Sequence, residues 1–263
     1  MSRIFKDMKV AALSALVVVP VFGQQTIRPE LANLGLELKT DKAEYLPGEL
    51  IQLRMRLFPR SGAAAAPNRI SVVDGSLEVL VSHGSDGYLE YQGPGWAVKK
   101  TAMPEVVILN ADQAIEATGT LLYNRVVDTA HLSPVYAQQA VEGRIPHEYA
   151  LSETGSFLLK VVYYDQFSED RIESDPVQIY IREATGEDAE VWNTLRTNPK
   201  LGYLLQTGLL PGAAPPAEED EAATVLQDLL VRHPASAYAG HISRGLQRFQ
   251  NFVKTQRSRS PNE

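Results

Sequence analysis

The chain has 263 residues, 44% hydrophobic and 22% charged, with a net charge of −7 and no cysteine. That length supports one full domain with an added element. The acidic balance excludes a general nucleic-acid binder, which needs a basic footprint. The missing cysteines exclude disulfides, thiolate metal sites and cysteine nucleophiles together.

Residues 1–23 read as a cleavable secretory signal peptide. Arg3, Lys6 and Lys9, with the single acid Asp7, form a basic head, and an uncharged run extends from Val10 to Phe22. A bilayer span takes roughly 20 apolar residues, so this run is too short for one and suits the ~7–15-residue core of a signal peptide. Val21 and Gly23 place small side chains ahead of a cut before Gln24, and Pro20 breaks the helix just before it. With those three bases and one acid gone, a net charge of −7 becomes −9. No later apolar run would hold the mature chain in a membrane. The expected product is a soluble protein of the periplasm or the cell exterior.

After a polar lead, Leu34, Leu36 and Leu38 alternate with Gly35, Glu37 and Lys39, the period of a half-buried strand. Tyr45-Leu-Pro-Gly-Glu49 is turn chemistry, because proline fixes φ and glycine accepts a positive one. Ile51, Leu53, Met55 and Leu57 then face one way while Gln52, Arg54 and Arg56 face the other. Residues 60–68, rich in alanine between Gly62 and Pro67, read as an exposed loop. Further strands are expected at Ser76–Ser82, Tyr88–Gln92, Ala97–Thr101, Val106–Leu109, Gly119–Val126, Ser156–Tyr164 and Val177–Arg182. Short strands separated by turn residues predict an antiparallel sandwich or barrel rather than alternating βαβ units. The segment 128–149 has weak periodicity and reads as a long excursion with a turn of helix.

At Thr185 the period changes. Thr185-Gly-Glu-Asp188 has the form of a capping box, with aspartate in place of glutamate, ahead of Ala189, Trp192 and Leu195. Leu209 to Pro216 reads as a linker. Ala222, Val225, Leu226, Leu229 and Leu230 then fall at helical spacing. Pro234 stops that helix, and Ser236 is placed to cap a second one lined by Tyr238, Ile242, Leu246, Phe249 and Val253. The division expected is a β-sandwich at 31–184, a short helical region at 186–255 forming a hairpin, and a disordered tail at 256–263. The basic residues Arg244, Arg248, Lys254, Arg257 and Arg259 read as a solvated helix face and frayed end.

Two stretches resemble bacterial exported immunoglobulin-like domains of the macroglobulin type. Leu36 to Leu53 follows the opening pattern of strand, Thr40-Asp41-Lys42, Tyr45-Leu-Pro-Gly48-Glu49, strand. Gly155-Ser-Phe157-Leu-Leu-Lys-Val161 follows the closing strand, with Phe157 where tyrosine is usual. The resemblance implies a mainly β fold, an antiparallel immunoglobulin-like β-sandwich, here with a C-terminal α-helical hairpin. His233-Pro-Ala-Ser-Ala-Tyr238-Ala-Gly-His241 resembles the junction of tetratricopeptide-like helical pairs, with His233 replacing tyrosine. One pair is too few for a solenoid, which needs about three repeats, so this pair is expected to pack on the sandwich or receive a partner.

The chemistry-bearing patterns are sparse. His83-Gly-Ser85-Asp86-Gly87 approaches a nucleophile elbow, but His83 stands where that motif needs glycine, and strand follows where helix should. Asp86-Gly87 reads better as a hairpin turn. His147-Glu148 has Leu151 where a zinc-binding helix needs its second histidine, and His131, His233 and His241 share no ligand spacing. The acids Asp165, Glu169, Asp170, Glu173 and Asp175 cluster at the end of a hairpin, and calcium binds oxygen clusters of this kind, but the spacing is not that of an EF-hand and a solvated turn is the default. Asp41, Glu44 and Glu49 are the nearest approach to an acid–base pair. Tyr88, Tyr91, Trp96, Tyr163 and Tyr164 would form either a sugar platform or, as expected of a disulfide-free sandwich, part of its core and faces.

These readings converge on a non-enzymatic exported protein that binds or scaffolds, with no cofactor and with another exported or envelope protein as partner. The rival expectations are a protease-inhibitor-like module, using loops such as 60–68 or 92–96, and a secreted hydrolase.

Overall fold

A computed structural model describes residues 28–73, 75–84, 86–91, 93, 104–125, 147–165, 170–210 and 216–259. The strands are β1 (Leu34–Thr40), β2 (Glu44–Tyr45), β3 (Ile51–Pro59), β4 (Ala64–Pro67), β5 (Leu77–His83), β6 (Leu89–Glu90) and β7 (Val106–Leu109). They continue as β8 (Ile115–Leu121), β9 (Tyr123–Arg125), β10 (His147–Tyr149), β11 (Gly155–Tyr164), β12 (Arg171–Glu173) and β13 (Val177–Ile181). Four helices follow: α1 (Glu187–Arg196), α2 (Pro199–Thr207), α3 (Pro216–Arg232) and α4 (Ala239–Arg259).

Two sheets share one core. The first runs β1-β3-β8 and the second β2-β13-β11-β5-β6, with β12 also paired to β11. β1 of the first sheet touches β11, β12 and β13 of the second. The alternation at β3 buries Ile51, Leu53, Met55 and Leu57 against Phe157, Leu159, Val161 and Tyr163 of β11 and their neighbours. Among the described residues all strand pairs are antiparallel except one, because Glu44 and Tyr45 of β2 run parallel to Tyr180 and Ile181 of β13. The protein is therefore mainly β, with antiparallel sheets and a helical layer.

Several expectations change. Residues 60–68 are not wholly a loop: Ala64 to Pro67 form β4, buried and paired with β7. Alanine has weak strand propensity, so this strand is marked by the burial of Ala64 and Ala66 in the main core, which a propensity reading does not see. The strand expected at Tyr88–Gln92 shrinks to β6. The strand expected at Gly119–Val126 starts earlier, at Ile115, and breaks at Leu122 into β8 and β9. The end of the 128–149 excursion is β10, paired with β9. The proposed strand at Ala97–Thr101 lies outside the described residues.

The helical region is larger than a hairpin. α2 was not anticipated, and α4 continues through Arg259, into the segment expected to be tail. The capping box at Thr185 does not form: Gly186, at φ 56°, is the N-cap. Asp188 instead accepts hydrogen bonds from the Ser236 hydroxyl (2.8 Å) and the Ala237 amide (2.8 Å) at the start of α4. A second core gathers Val191 and Leu195 of α1, Leu201, Leu204 and Leu205 of α2, Leu226 and Leu229 of α3, and Ile242 and Phe249 of α4. It also takes in Leu46, Leu50, Leu122 and Tyr149 from the β region, so the helices are docked on the sheets rather than strung after them.

Candidate functional site

The acids of the first turn serve the turn. Asp41 accepts from the Tyr45 hydroxyl at 2.8 Å and from the Gln52 amide at 3.0 Å. Glu49 is buried at 9% exposure; it pairs with Lys42 and accepts from the Leu46 amide at 3.0 Å. Burial, then the Asp41 carboxylate, push the Tyr45 hydroxyl well above its ordinary pKa. Glu44 is exposed at the sheet edge. Two carboxylates fixed by backbone and ion-pair contacts hold a turn shut. They are not poised as acid and base.

That turn is keyed into the helical layer. Gly48 has φ +65°, and a Cβ there would run into the Trp192 ring. The Tyr238 hydroxyl donates to the Pro47 carbonyl at 2.7 Å, across 191 residues of sequence. A second junction forms where β8 breaks. Gln206 of α2 donates to the Thr120 carbonyl (2.7 Å) and accepts from the Tyr123 amide (2.9 Å), filling the gap between β8 and β9. The Tyr91 hydroxyl donates to the Tyr123 carbonyl at 2.6 Å and accepts from Gln206, and burial pushes its pKa up to about 12. No sequence signal singled out Gln206, since its partners lie more than 80 residues away.

His233 and His241 are both buried in the helical layer, where Nδ1 of His233 and Nε2 of His241 lack hydrogen-bond partners. Nε2 of His233 lies 3.6 Å from Glu190. Burial drives the His241 pKa down to about 3, helped by the positive charges of Arg244, Lys42 and Arg248. His147 stands in β10 opposite Arg125, while His131 and Ser85 lie outside the described residues. Among the described residues, no group of three or more histidine or acidic side chains is placed to hold a metal ion.

In the acidic loop, Asp165 is buried, and its amide donates to the Asp170 carbonyl at 3.1 Å. Glu173 is paired with Lys160 at 3.2 Å and Arg171 at 3.4 Å. Asp175 is exposed, and residues 166–169 lie outside the described set. The four described aromatics of that set do not form one platform. Tyr163 is in the main core and Tyr91 is in the Gln206 junction. Tyr88 lies under the Lys160 ammonium, 4.9 Å from ring centroid to nitrogen, and Trp96 is outside the described residues. Of the loops envisaged for protease inhibition, 60–68 keeps only Arg60 to Ala63 and Asn68 on the surface, because Ala64 to Pro67 are buried, and 92–96 lies outside the described residues except for Gly93.

The structure does assemble a cleft where the hairpin 83–87 meets the turn between β10 and β11. Gly84 at φ 59° turns the chain, and the Asp86 amide closes on the His83 carbonyl at 3.0 Å, joining β5 to β6 as a hairpin. The His83 ring stacks on Phe157 (centroids 4.3 Å apart, planes 9° from parallel), with Nδ1 3.5 Å from the Glu153 carboxylate. The stack needs a bare backbone opposite it, since a Cβ at Gly155 would lie 2.8 Å from Nε2 of His83. The cleft measures about 260 Å³, has Val81, Leu89 and Phe157 as apolar walls, and is bordered by Asp86, Glu90 and Glu153. A second, larger concavity of about 460 Å³ on the outer face of β1-β3-β8 carries both signs of charge. There Arg56 stands between Glu37 and Glu116 on the neighbouring strands, and Lys39 and Arg54 add further positive charge.

No protein-family model matches the chain, and no curated protein matches it. Among solved structures, the chain is similar to Spo0M, a sporulation control protein from Bacillus subtilis, at 11% identity and a TM-score of 0.29. The match covers 62% of this chain and 54% of that one, so the chain spans about half the length of the structure it matches. At that TM-score the likeness carries no argument about fold or function.

Proposed function

We propose that the protein is an exported, non-catalytic binding or scaffolding module whose β region is an immunoglobulin-like sandwich of the macroglobulin type. Two antiparallel sheets around one core support the fold reading, with a three-stranded sheet facing a larger one. The observation that carries the functional reading is the use of Asp41 and Glu49. The strongest acid–base candidates are committed to hydrogen bonds that fix the turn on which the helical layer docks. This favours a rigid two-part body that presents surfaces to another exported or envelope protein.

The test is expression of the tagged chain in a bacterium, followed by fractionation, N-terminal sequencing and cross-linked capture from the envelope fraction. A mature chain beginning near Gln24 with a stoichiometric protein partner is the expected result. A cytoplasmic chain still beginning at Met1 would remove the export reading. A mature chain that captures nothing would remove the binding one.

A further inference from the structure

The turn between α3 and α4 holds a histidine at each end, and both are buried. His233 follows α3 directly, and His241 lies in the first turn of α4. Buried polar atoms are normally hydrogen-bonded, yet Nδ1 of His233 and Nε2 of His241 have no partner. A proton arriving at the two rings would meet opposite surroundings. At His233 it would face the Glu190 carboxylate of α1, 3.6 Å from Nε2. At His241 it would face Lys42, Arg244 and Arg248. It would also stand at the helix end where the backbone dipole opposes positive charge, and the first turn of α4 carries no acid to offset this.

His241 is also placed where a charge would be felt. Its ring meets Tyr238 edge-on, with centroids 5.7 Å apart, and Tyr238 fixes the start of α4 to the turn 46–49 through the Pro47 carbonyl. The other charged and titratable groups around Tyr238 are Asp188, Glu49, the Tyr149 hydroxyl and Arg182. Glu49 is paired with Lys42, and Asp188 accepts from the Ser236 hydroxyl and the Ala237 amide, so both carboxylates are already engaged. We infer that the Tyr238–Pro47 contact is an acid-released latch: a proton on His241 frees the start of α4 from the turn 46–49, while His233 and Glu190 keep the end of α3 against α1. His241 gains its proton by reaching water, and that movement draws Tyr238 out of its site. Release opens part of the second core, which includes Leu46 and Leu50 of the turn. The inference goes beyond the binding reading above and stands or falls separately from it.

The experiment measures amide hydrogen exchange of the full chain, corrected for its intrinsic pH dependence, by mass spectrometry. The open form titrates at the ordinary 6.5 and the closed form near 3. By linkage, opening should be about 30-fold more frequent at about pH 5 than at about pH 7.5. Amides of the turn 46–49 and of residues 238–246 should lose protection by that factor, while those of β3 and β11 change little. His241→Phe keeps a buried ring that takes no proton, so protection at the latch should be the same at both pH values. If that variant folds poorly, His241→Gln supplies the same comparison with a neutral polar side chain. His233→Phe should leave the acid response of residues 238–246 in place. Equal loss of protection in β3 and at the latch would mean general weakening by acid and would overturn the inference. So would an undiminished response in the His241 variant, or its disappearance in His233→Phe.

Discussion

The two cores of this protein are held by different means. In the β region, alternating aliphatic residues face inward and main-chain ladders satisfy the polar groups locally, as along β1, β3 and β8. In the helical layer the decisive contacts are side chains that reach distant backbone: Tyr238 to Pro47, Gln206 to Thr120, and Arg248 to the Leu205 carbonyl at the end of α2. The first kind of core is specified by a pattern repeated many times. The second depends on a few residues, each without a substitute, so the two regions should respond differently to single changes.

The largest effect should come from the main core. Leu53→Ala removes a fully buried side chain from β3 and should cost about 2–5 kcal/mol. For a chain of this size each kcal/mol lowers Tm by about 2–4 °C, and the loss should show as one transition in calorimetry. Gln206→Leu comes next. It leaves the Thr120 carbonyl and the Tyr123 amide without their partner and should cost about 2–4 kcal/mol, since each buried unsatisfied group costs about 1–3 kcal/mol. Hydrogen exchange should then speed up in α2, β8 and β9 before it does in β3. Equal acceleration everywhere would show that the two cores are not held separately.

Tyr238→Phe should cost about 1–2 kcal/mol by removing one buried hydrogen bond, with faster exchange confined to the turn 46–49 and the start of α4. A further effect is one of pH. The folded chain keeps His241 neutral, with a pKa near 3 against an ordinary 6.5. Below pH 6.5 the unfolded chain takes up a proton that the folded chain refuses, so this residue makes stability fall as pH drops toward 3 and contributes no slope above 6.5. Lys42, Arg244 and Arg248 face it. Comparing Tm at about pH 7.5 and about pH 5, His241→Phe should show a smaller drop than the parent. An equal drop would place the acid sensitivity in other groups.

The contrast between the cores also explains what the sequence could disclose. The inward faces of β3 and β11 were legible because period-two alternation is a local property, and the same holds for the helical faces of α3 and α4. β4 was not legible, because Ala64 to Ala66 owe their place to burial and pairing with the distant β7 rather than to strand preference. Thr185 and Asp188 matched a local motif, but the long-range contact of Asp188 with Ser236 displaced it. Of the cleft, the hairpin at Asp86-Gly87 could be read, whereas its closeness to Glu153 and Phe157 required the pairing of β5 with β11.

The break at Leu122 has a practical side. The change of period at Thr185 looks like a place to cut the chain, and a protein ending there would carry every strand. It would also open Leu46, Leu50, Leu122 and Tyr149 to water and leave the gap between β8 and β9 without the amide that spans it. A seam in the sequence is thus not a seam in the folded object. Subcloning at residue 185 should yield an aggregating fragment, whereas the exposed corner Ser61-Gly62-Ala63, where a Cβ added to Gly62 meets nothing, is the better place to splice in a tag.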